Sequence, residues 1–129
     1  MHTAFADQLP TDPGKSGDTT LVGIDADADG LRDDVQRFIY LSYEEGIFRN
    51  ALIHYAKSFQ KIFTNTLQPQ TCMQINSRIN LAFNAVGNAS GKMFSLIHYE
   101  STRKVRAEFL NNGSRIHRYV NFFKIVNSE

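Results

Sequence analysis

Hydrophobic residues recur every three or four positions from residue 31 to the end of the chain. This is the period of amphipathic α-helices, whereas half-buried strands alternate at every second residue. Because each apolar stretch has one hydrophobic face, the helices must bury these faces against one another. The sequence therefore predicts an all-α bundle of four or five helices. The five apolar stretches are Leu31, Val35, Phe38 and Ile39; Phe48, Leu52, Tyr55, Ala56, Phe59, Ile62 and Phe63; Cys72, Ile75, Ile79, Ala82, Phe83 and Val86; Met93, Leu96, Ile97, Val105, Phe109 and Leu110; and Ile116, Tyr119, Val120 and Phe123.

Glycine and proline residues mark the predicted helix ends, because glycine often terminates helices and proline interrupts them. Gly46 is predicted to end the first helix, Pro69 lies near the end of the second, and Gly87 is predicted to close the third. The Asn-Asn-Gly run at residues 111–113 is predicted to stop the fourth helix. Residues 122–126 also fit a short strand, as an alternative to the last turns of the fifth helix.

The first 22 residues lack the helical period and are rich in glycine, proline, serine and threonine. Such composition is typical of turns and linkers. We expect residues 1–22 to form a flexible leader or linker, and residues 23–129 to form a single helical domain. Residues 1–10 have neither the basic start nor the apolar stretch of a signal peptide. No apolar run reaches the length of about 18 residues that a membrane span requires.

The charges are balanced over the whole chain but divided between its halves. The 129 residues carry 14 basic and 13 acidic side chains, for a formal net charge of +1. Residues 1–50 hold ten of the acids and four of the bases, whereas residues 51–129 hold three acids and ten bases. The basic half fits either a solvated helix face or a surface for an anionic partner. Much of the acidic excess lies in one short motif.

Three aspartates alternate at positions 25, 27 and 29, and Gly30 and Asp33 follow them. Like charges this close repel one another unless a cation lies between them, and Ca²⁺ prefers six to eight oxygen ligands. Gly30 supplies the backbone freedom for a sharp turn. The motif therefore predicts a Ca²⁺ loop in front of the first helix. The predicted ligands are Asp25, Asp27, Asp29, the Leu31 carbonyl, Asp33 (directly or through a water), Asp34 and Gln36.

The motif resembles a single EF-hand-like loop, and it is similar to the calcium loops of thrombospondin type 3 repeats and of many bacterial envelope proteins. It departs from the paired EF-hand pattern: Gln36 stands where a bidentate glutamate is usual, and Arg32 stands where an apolar residue is usual. Asp34 is a candidate to compensate for the missing glutamate. The resemblance implies calcium binding and a periplasmic or secreted location, and it implies no catalytic activity. The missing ligand predicts weak affinity, with a Kd on the order of 10⁻⁴–10⁻³ M.

A polar turn whose aspartates favour a helix start is the alternative interpretation, because acidic residues stabilise the first turn of a helix. That interpretation accounts for Asp33 and Asp34 but leaves the crowding at residues 25–29 unexplained.

The chain contains no convincing catalytic motif. Residues 87–93 superficially resemble a phosphate loop, but the glycine spacing is one residue short and no Ser or Thr follows the lysine. His54, His98 and His117 lie on different predicted helices without a metal-ligand spacing. Cys72 is the only cysteine, which excludes an internal disulfide and favours a buried thiol or an intermolecular bridge. We therefore expect a protein that is not an enzyme.

The sequence favours a non-catalytic calcium-binding module of the bacterial envelope, with a structural role or a role in binding another protein. The alternative is a periplasmic inhibitor or immunity-type protein that neutralises a partner enzyme. Nucleic-acid binding through the basic half is not expected, because no recognition motif is present and the acidic half opposes it. Tyr40, Tyr43 and Phe48 are expected near the first connection, where exposed aromatic side chains would mark a partner surface.

Overall fold

The computed structural model of the protein describes residues 9–26 and 28–128, with the backbone alone at residues 16 and 18. These residues form one short 3₁₀ helix and five α-helices, and the described part of the chain contains no strand. The 3₁₀ helix is Gly14–Asp18, and the α-helices are α1 (Asp33–Ser42), α2 (Ile47–Thr64), α3 (Pro69–Ala89), α4 (Leu96–Phe109) and α5 (Gly113–Val126). The prediction of an all-α bundle is confirmed, with five helices. The alternative strand at residues 122–126 is wrong, since α5 continues through Val126.

The second helix is the centre of the bundle, because α2 packs against each of the other four helices. Its hydrophobic side chains occupy more than one face. Leu52, Ala56 and Ile62 are fully buried, and Tyr55 and Phe59 are almost fully buried. Such a wide apolar surface needs several neighbouring helices to cover it. The partners include α3, whose packing against α2 is the most extensive in the molecule.

Three predicted helix ends differ from the observed ones. Gly46 was predicted to end α1, but α1 ends at Ser42 and Gly46 directly precedes α2. Pro69 is the first residue of α3 rather than a feature beyond the end of α2. A proline suits this position because the amide of a first-turn residue has no partner within the helix. Gly87 was predicted to close α3, but the helix continues to Ala89 and Gly87 is buried inside it. A Cβ atom at Gly87 would lie 2.3 Å from the Met93 sulfur and 2.6 Å from a ring carbon of His98. Gly87 is therefore needed for close packing and not for helix termination.

His98 joins α3 to α4 from a fully buried position beneath Gly87. Its Nδ1 accepts a hydrogen bond from the Phe94 backbone N–H at 2.9 Å, and its Nε2 lies 2.7 Å from the Phe83 carbonyl oxygen. A carbonyl can only accept, so Nε2 carries the proton and the imidazole is neutral in this arrangement. Both ring nitrogens thus have partners within the chain, and His98 acts as a structural residue.

The segment before the first helix is tied to the bundle by Arg115 of α5, which is fully buried. Its guanidinium donates to the carbonyl of Gly17 at 2.5 Å and to that of Leu21 at 3.2 Å. Asn112 also donates to the carbonyl of Thr20 at 3.3 Å. Residues 17–21, which the sequence places in a flexible leader, are thus attached to the end of the helical unit. No described helix is both long and apolar enough to cross a lipid bilayer.

Candidate functional site

The aspartate loop, defined here as residues 24–33, is closed by its own backbone. The Asp33 N–H donates to the Ile24 carbonyl at 2.7 Å, and the Ala28 N–H donates to the Asp25 carbonyl at 3.2 Å. Gly30 has φ +87°, a conformation that glycine adopts more readily than other residues. The space around Gly30 is open, so its φ angle and not crowding is what requires a glycine here.

Two of the predicted ligands, Asp25 and Asp29, organise the turn through backbone amides. The Asp25 carboxylate accepts from the N–H of Gly30 at 2.9 Å and from the N–H of Asp29 at 3.3 Å. The Asp29 carboxylate accepts from the Leu31 N–H at 3.0 Å. An ionised carboxylate has about four lone-pair sites, so the two bonds to Asp25 leave acceptor capacity on that residue. The turn is thereby folded around the Asp25 carboxylate.

Asp33, the first residue of α1, connects that helix to the start of the loop. It is buried, with 2% of its surface exposed. Both of its carboxylate oxygens accept from the Ala26 N–H, at 3.1 and 3.2 Å. A negative charge is also favourable at a helix N-terminus, where unpaired N–H groups carry partial positive charge. The conformation at the start of the loop is therefore coupled to the start of α1.

Asp34 is engaged by an arginine within the same segment. Its carboxylate receives two hydrogen bonds from Arg32, from Nε at 2.6 Å and from Nη2 at 2.8 Å. Arg32 is itself buried and donates to the carbonyl of Glu108 at 2.8 Å and to that of Phe109 at 3.3 Å. Arg32 thus forms a bidentate pair with Asp34 and also attaches this segment to the end of α4. In the sequence Arg32 is only a departure from the EF-hand pattern, because the carbonyls that its buried guanidinium bonds are more than 70 residues away.

The remaining predicted ligands are placed as follows. Leu31 has a fully buried side chain, and Gln36 is a buried residue of α1. Asp27, the central aspartate of the motif, lies outside the described residues. The complete ligand set therefore stays a prediction.

A depression of about 450 Å³ lies beside the loop, lined by Asp25 and Asp29 together with Lys57, Gln60 and Lys61 of α2. Gln60 also holds the loop in place, since its side-chain oxygen accepts from the Arg32 backbone N–H at 2.6 Å. The two aspartates thus share one open face with two cationic side chains. The lysines reduce the local negative charge, and they would oppose a bound cation.

The donor chemistry fits a hard cation, because the aspartates offer oxygen atoms alone. The described side chains do not complete a site. Among the side chains described in residues 9–26 and 28–128, no three acidic, histidine or cysteine groups lie close enough together to hold a metal ion. A calcium ion in this loop would require further ligands from Asp27, backbone carbonyls and water.

The histidines and the cysteine that were considered as candidate site residues are either buried by packing or exposed on separate helices. His54 and His117 are exposed on α2 and α5, whereas His98 is enclosed between α3 and α4. Cys72 is fully buried. Burial raises the pKa of its thiol, and the nearby Arg118 guanidinium offsets part of that rise. A thiol with a raised pKa holds little of the nucleophilic thiolate, so Cys72 is suited to packing and not to covalent catalysis.

The aromatic residues of the first connection pack on one another. Tyr43 makes edge-to-face contacts with Phe38 and with Phe48, at ring-centroid distances of 6.4 and 5.6 Å. Tyr43 and Phe48 are accordingly half-buried, and Tyr40 is half-buried with its ring centroid 4.3 Å from the Arg49 guanidinium carbon. The exposed apolar residues near this connection and the start of α4 include both aromatic side chains, such as Phe94, and a group of aliphatic residues.

Those aliphatic residues flank the aromatic group and define an apolar rim, which consists of Leu41, Ile47, Leu96 and Ile97. Leu41 and Ile47 are 62% and 75% exposed, and Leu96 and Ile97 are 78% and 51% exposed. Tyr43 lines one depression with Leu41 and a second with Leu96 and Ile97. The end of α1 and the start of α4 thus present apolar side chains around one tyrosine.

Comparison with known proteins gives no match: no family model, no curated protein sequence and no solved structure matches the chain.

Proposed function

We propose that the protein is a non-catalytic calcium-binding module of the bacterial cell envelope, with a structural or protein-binding role. In this proposal calcium binds the aspartate loop and orders the start of α1. The predicted affinity, with a Kd on the order of 10⁻⁴–10⁻³ M, suits an extracellular or periplasmic setting. Such a site would be filled at millimolar calcium and empty at the low calcium concentration of a cytosol.

The observation that carries this proposal is the pair of hydrogen bonds from the Asp29 and Gly30 amides to the Asp25 carboxylate. They bend the chain around the first carboxylate of the motif, with Gly30 in the conformation that the turn requires. Asp29 lines the same depression as Asp25. The arrangement supports a cation site because two acidic groups are held on one open face.

Hydrogen bonds connect the loop to two helices, so calcium bound in the loop would also affect those helices. Asp33 bonds the Ala26 amide and is the first residue of α1, and Arg32 bonds carbonyls at the end of α4. A cation that holds the loop in its closed form would therefore also hold these two helix ends. Any ligand that binds only the folded state raises its stability in proportion to occupancy.

The test is the thermal unfolding midpoint of the full chain in 10 mM CaCl₂, in 10 mM MgCl₂ and in EDTA. For a Kd of about 10⁻⁴–10⁻³ M, calcium at this concentration stabilises the folded state by about 1.4–2.7 kcal/mol. Magnesium should give a smaller shift, because it demands a stricter octahedral geometry. No calcium-specific shift in the wild-type chain would contradict the proposal.

The apolar rim favours a second candidate, an inhibitor or immunity-type protein that binds a partner enzyme. Exposed aliphatic residues around a half-buried tyrosine are a composition that suits a protein interface. The test is capture of bacterial periplasmic proteins on the immobilised chain, with Leu96→Asp as the interface variant and Leu81→Asp on α3 as the control. This candidate is supported if the chain captures an enzyme in stoichiometric amount and if that enzyme loses activity when bound. The Leu96→Asp variant should fail to capture the same enzyme.

A further inference from the structure

A cleft of about 330 Å³ lies on the side of α2 that faces α3 and α5. Its volume is near the lower end of the range for small-molecule sites, about 300–1,000 Å³. We call it the aromatic cleft and define it by Tyr55, Phe59, Phe83, Tyr119 and Phe122, which line it. Most small-molecule sites combine such apolar walls with a few polar groups that set the orientation of the ligand.

The walls of the aromatic cleft are rings that already contact one another. Tyr55 lies 6.5 Å from Phe83, and Phe59 lies 5.5 Å from Tyr119, between ring centroids. Tyr55, Phe59 and Phe122 are each no more than 3% exposed. The walls are thus part of the folded core, and the cleft does not require a rearrangement to form.

The polar end of the cleft is formed by Arg106 and Tyr55. The Arg106 Nη1 donates to the Tyr55 hydroxyl oxygen at 2.9 Å. Because that oxygen accepts from the guanidinium, the hydroxyl hydrogen of Tyr55 remains available as a donor. Burial raises the pKa of Tyr55 and the arginine offsets part of that rise, so the hydroxyl keeps its proton at neutral pH. Two kinds of donor therefore lie together against apolar walls.

No carboxylate neutralises Arg106 within the described part of the chain. The described ion pairs are those of Arg32 with Asp34, and of Glu100 with both Arg103 and Lys104. Arg106 has five N–H donors, of which one is used by Tyr55. A half-buried cation with open donors is suited to bind an anion, since hydrogen bonds to charged groups are stronger than those between neutral groups.

We propose that the aromatic cleft binds a small monocarboxylic acid with an aromatic or branched apolar body. The carboxylate lies against the Arg106 guanidinium and the Tyr55 hydroxyl, and the apolar body lies between Phe83 and Phe122. One guanidinium balances one negative charge, which favours a monocarboxylate over a di- or triphosphate. The amides of Asn76 and Asn80 line the cleft on the α3 side. This inference does not depend on calcium binding by the loop.

The experiment uses the full chain and the probe 3-phenylpropionate, with 3-phenyl-1-propanol as the uncharged comparison. Binding is measured by calorimetric titration at pH 7 in EDTA, and amide NMR shifts locate the site. We expect the carboxylate to bind about 10- to 100-fold more tightly than the alcohol, because a charge-assisted pair is gained. The largest shifts should fall on residues that line the aromatic cleft.

Two pairs of variants complete the test. Arg106→Gln should bring the two probes within about twofold of each other, whereas Arg103→Gln, an exposed site on the same helix, should leave the preference unchanged. Asn80→Trp should block the cleft from an exposed position, and Asn84→Trp, exposed on the same helix outside the cleft, should not.

The inference is overturned if the carboxylate binds no better than the alcohol, if the shifts fall outside the cleft, or if Arg103→Gln has the same effect as Arg106→Gln. If circular dichroism shows that Arg106→Gln does not fold, the comparison of Asn80→Trp with Asn84→Trp is the deciding measurement. Unchanged binding in Asn80→Trp contradicts the inference, and lost binding supports it.

Discussion

The aspartate loop and the aromatic cleft are two candidate binding regions that are built in opposite ways. In the loop, the bonds that Asp25 and Asp29 accept come from amides at most five residues away. In the cleft, the bond between Arg106 and Tyr55 joins residues 51 positions apart, on different helices. The functional groups of a local motif are brought together by their spacing in the sequence. Those of a cleft between helices come together only when the helices pack.

The two regions also differ in what holds them to the molecule. The cleft is lined by core side chains, so its walls have the stability of the whole fold. The loop is attached through Arg32 and Asp33 and is preceded by residues that Arg115 holds. Substitutions in the core should therefore affect global stability most, and those in the loop should act mainly through calcium.

The largest effect is expected from Phe59→Ala in the wall of the cleft. Phe59 is 2% exposed and contacts Tyr55, Phe63, Phe109 and Tyr119. Loss of the ring leaves a cavity, so we expect the free energy of unfolding to fall by about 3–5 kcal/mol in urea denaturation. The calcium-induced shift of the midpoint should persist, because the loop is held by local bonds.

Leu81→Ala on α3 is the control for this comparison, since Leu81 is 71% exposed and its truncation should change stability by less than about 0.5 kcal/mol. Equal losses in the two variants would contradict the packing described for α2.

The next effect is expected from Arg115→Met, which removes the guanidinium bonds from α5 to Gly17 and Leu21. The carbonyls of Gly17 and Leu21 lose a charged donor, so we expect a loss of about 3 kcal/mol in unfolding free energy. Arg78→Met, at an exposed position on α3, is the control. If Arg115→Met costs no more than Arg78→Met, the attachment of this segment does not contribute to stability.

An intermediate effect is expected from substitution of Asp25, which we propose as a calcium ligand. Asp25→Asn should abolish the stabilisation of about 1.4–2.7 kcal/mol that 10 mM calcium gives to the wild type. In EDTA its midpoint should lie slightly below that of the wild type, because the asparagine amide nitrogen cannot accept one of the two backbone bonds that the Asp25 carboxylate accepts. Asp12→Asn, outside the loop, should keep the full calcium response. An unchanged response in Asp25→Asn would exclude Asp25 as a ligand.

A smaller effect is expected in alkaline solution from Tyr55 of the cleft. Burial raises its pKa above the value of 10.0 for an unperturbed tyrosine, and Arg106 offsets part of that rise. Because the folded-state pKa is the higher one, the unfolded chain binds fewer protons above pH 10. The contribution of Tyr55 is therefore complete below pH 10 and is lost as the pH rises through the raised pKa.

The slope from this one group is at most about 1.4 kcal/mol per pH unit. Unfolding free energies measured between pH 8 and 11 should fall less steeply in Tyr55→Phe than in the wild type. Part of the slope should remain, since burial also raises the pKa values of Tyr43 and Cys72. Tyr99→Phe, at a position that is 52% exposed, should match the wild type.

The smallest effect is expected from Lys61→Gln beside the loop. Lys61 lines the same depression as Asp25 and Asp29, so its charge opposes a bound cation. Its removal should strengthen calcium binding by about 1.5- to 5-fold in a calorimetric titration, as is usual for one exposed charge. Lys104→Gln, on α4 and paired with Glu100, is the control. Weaker calcium binding in Lys61→Gln would show that the lysine supports the site.

The helical class could be predicted because the apolar period is a property of neighbouring residues. The observed helices coincide with the five apolar stretches, including one through residues 69–89. Helix ends were predicted wrongly at glycine and proline residues that have a role other than ending a helix. Gly87 lies inside α3 because His98 and Met93 approach it closely, and Pro69 begins α3 because a first-turn amide needs no partner.

The sequence by itself determined the helices, the aspartate motif and its Gly30 turn, because each depends on residues within one or two turns of one another. Only the tertiary structure decided that Arg32 and Arg115 are buried, that residues 17–21 are attached to α5, and that Arg106 meets Tyr55 in an aromatic cleft. The physical reason is the distance along the chain between the partners. A buried guanidinium needs carbonyl or carboxylate partners, and no local pattern reveals which distant segment supplies them.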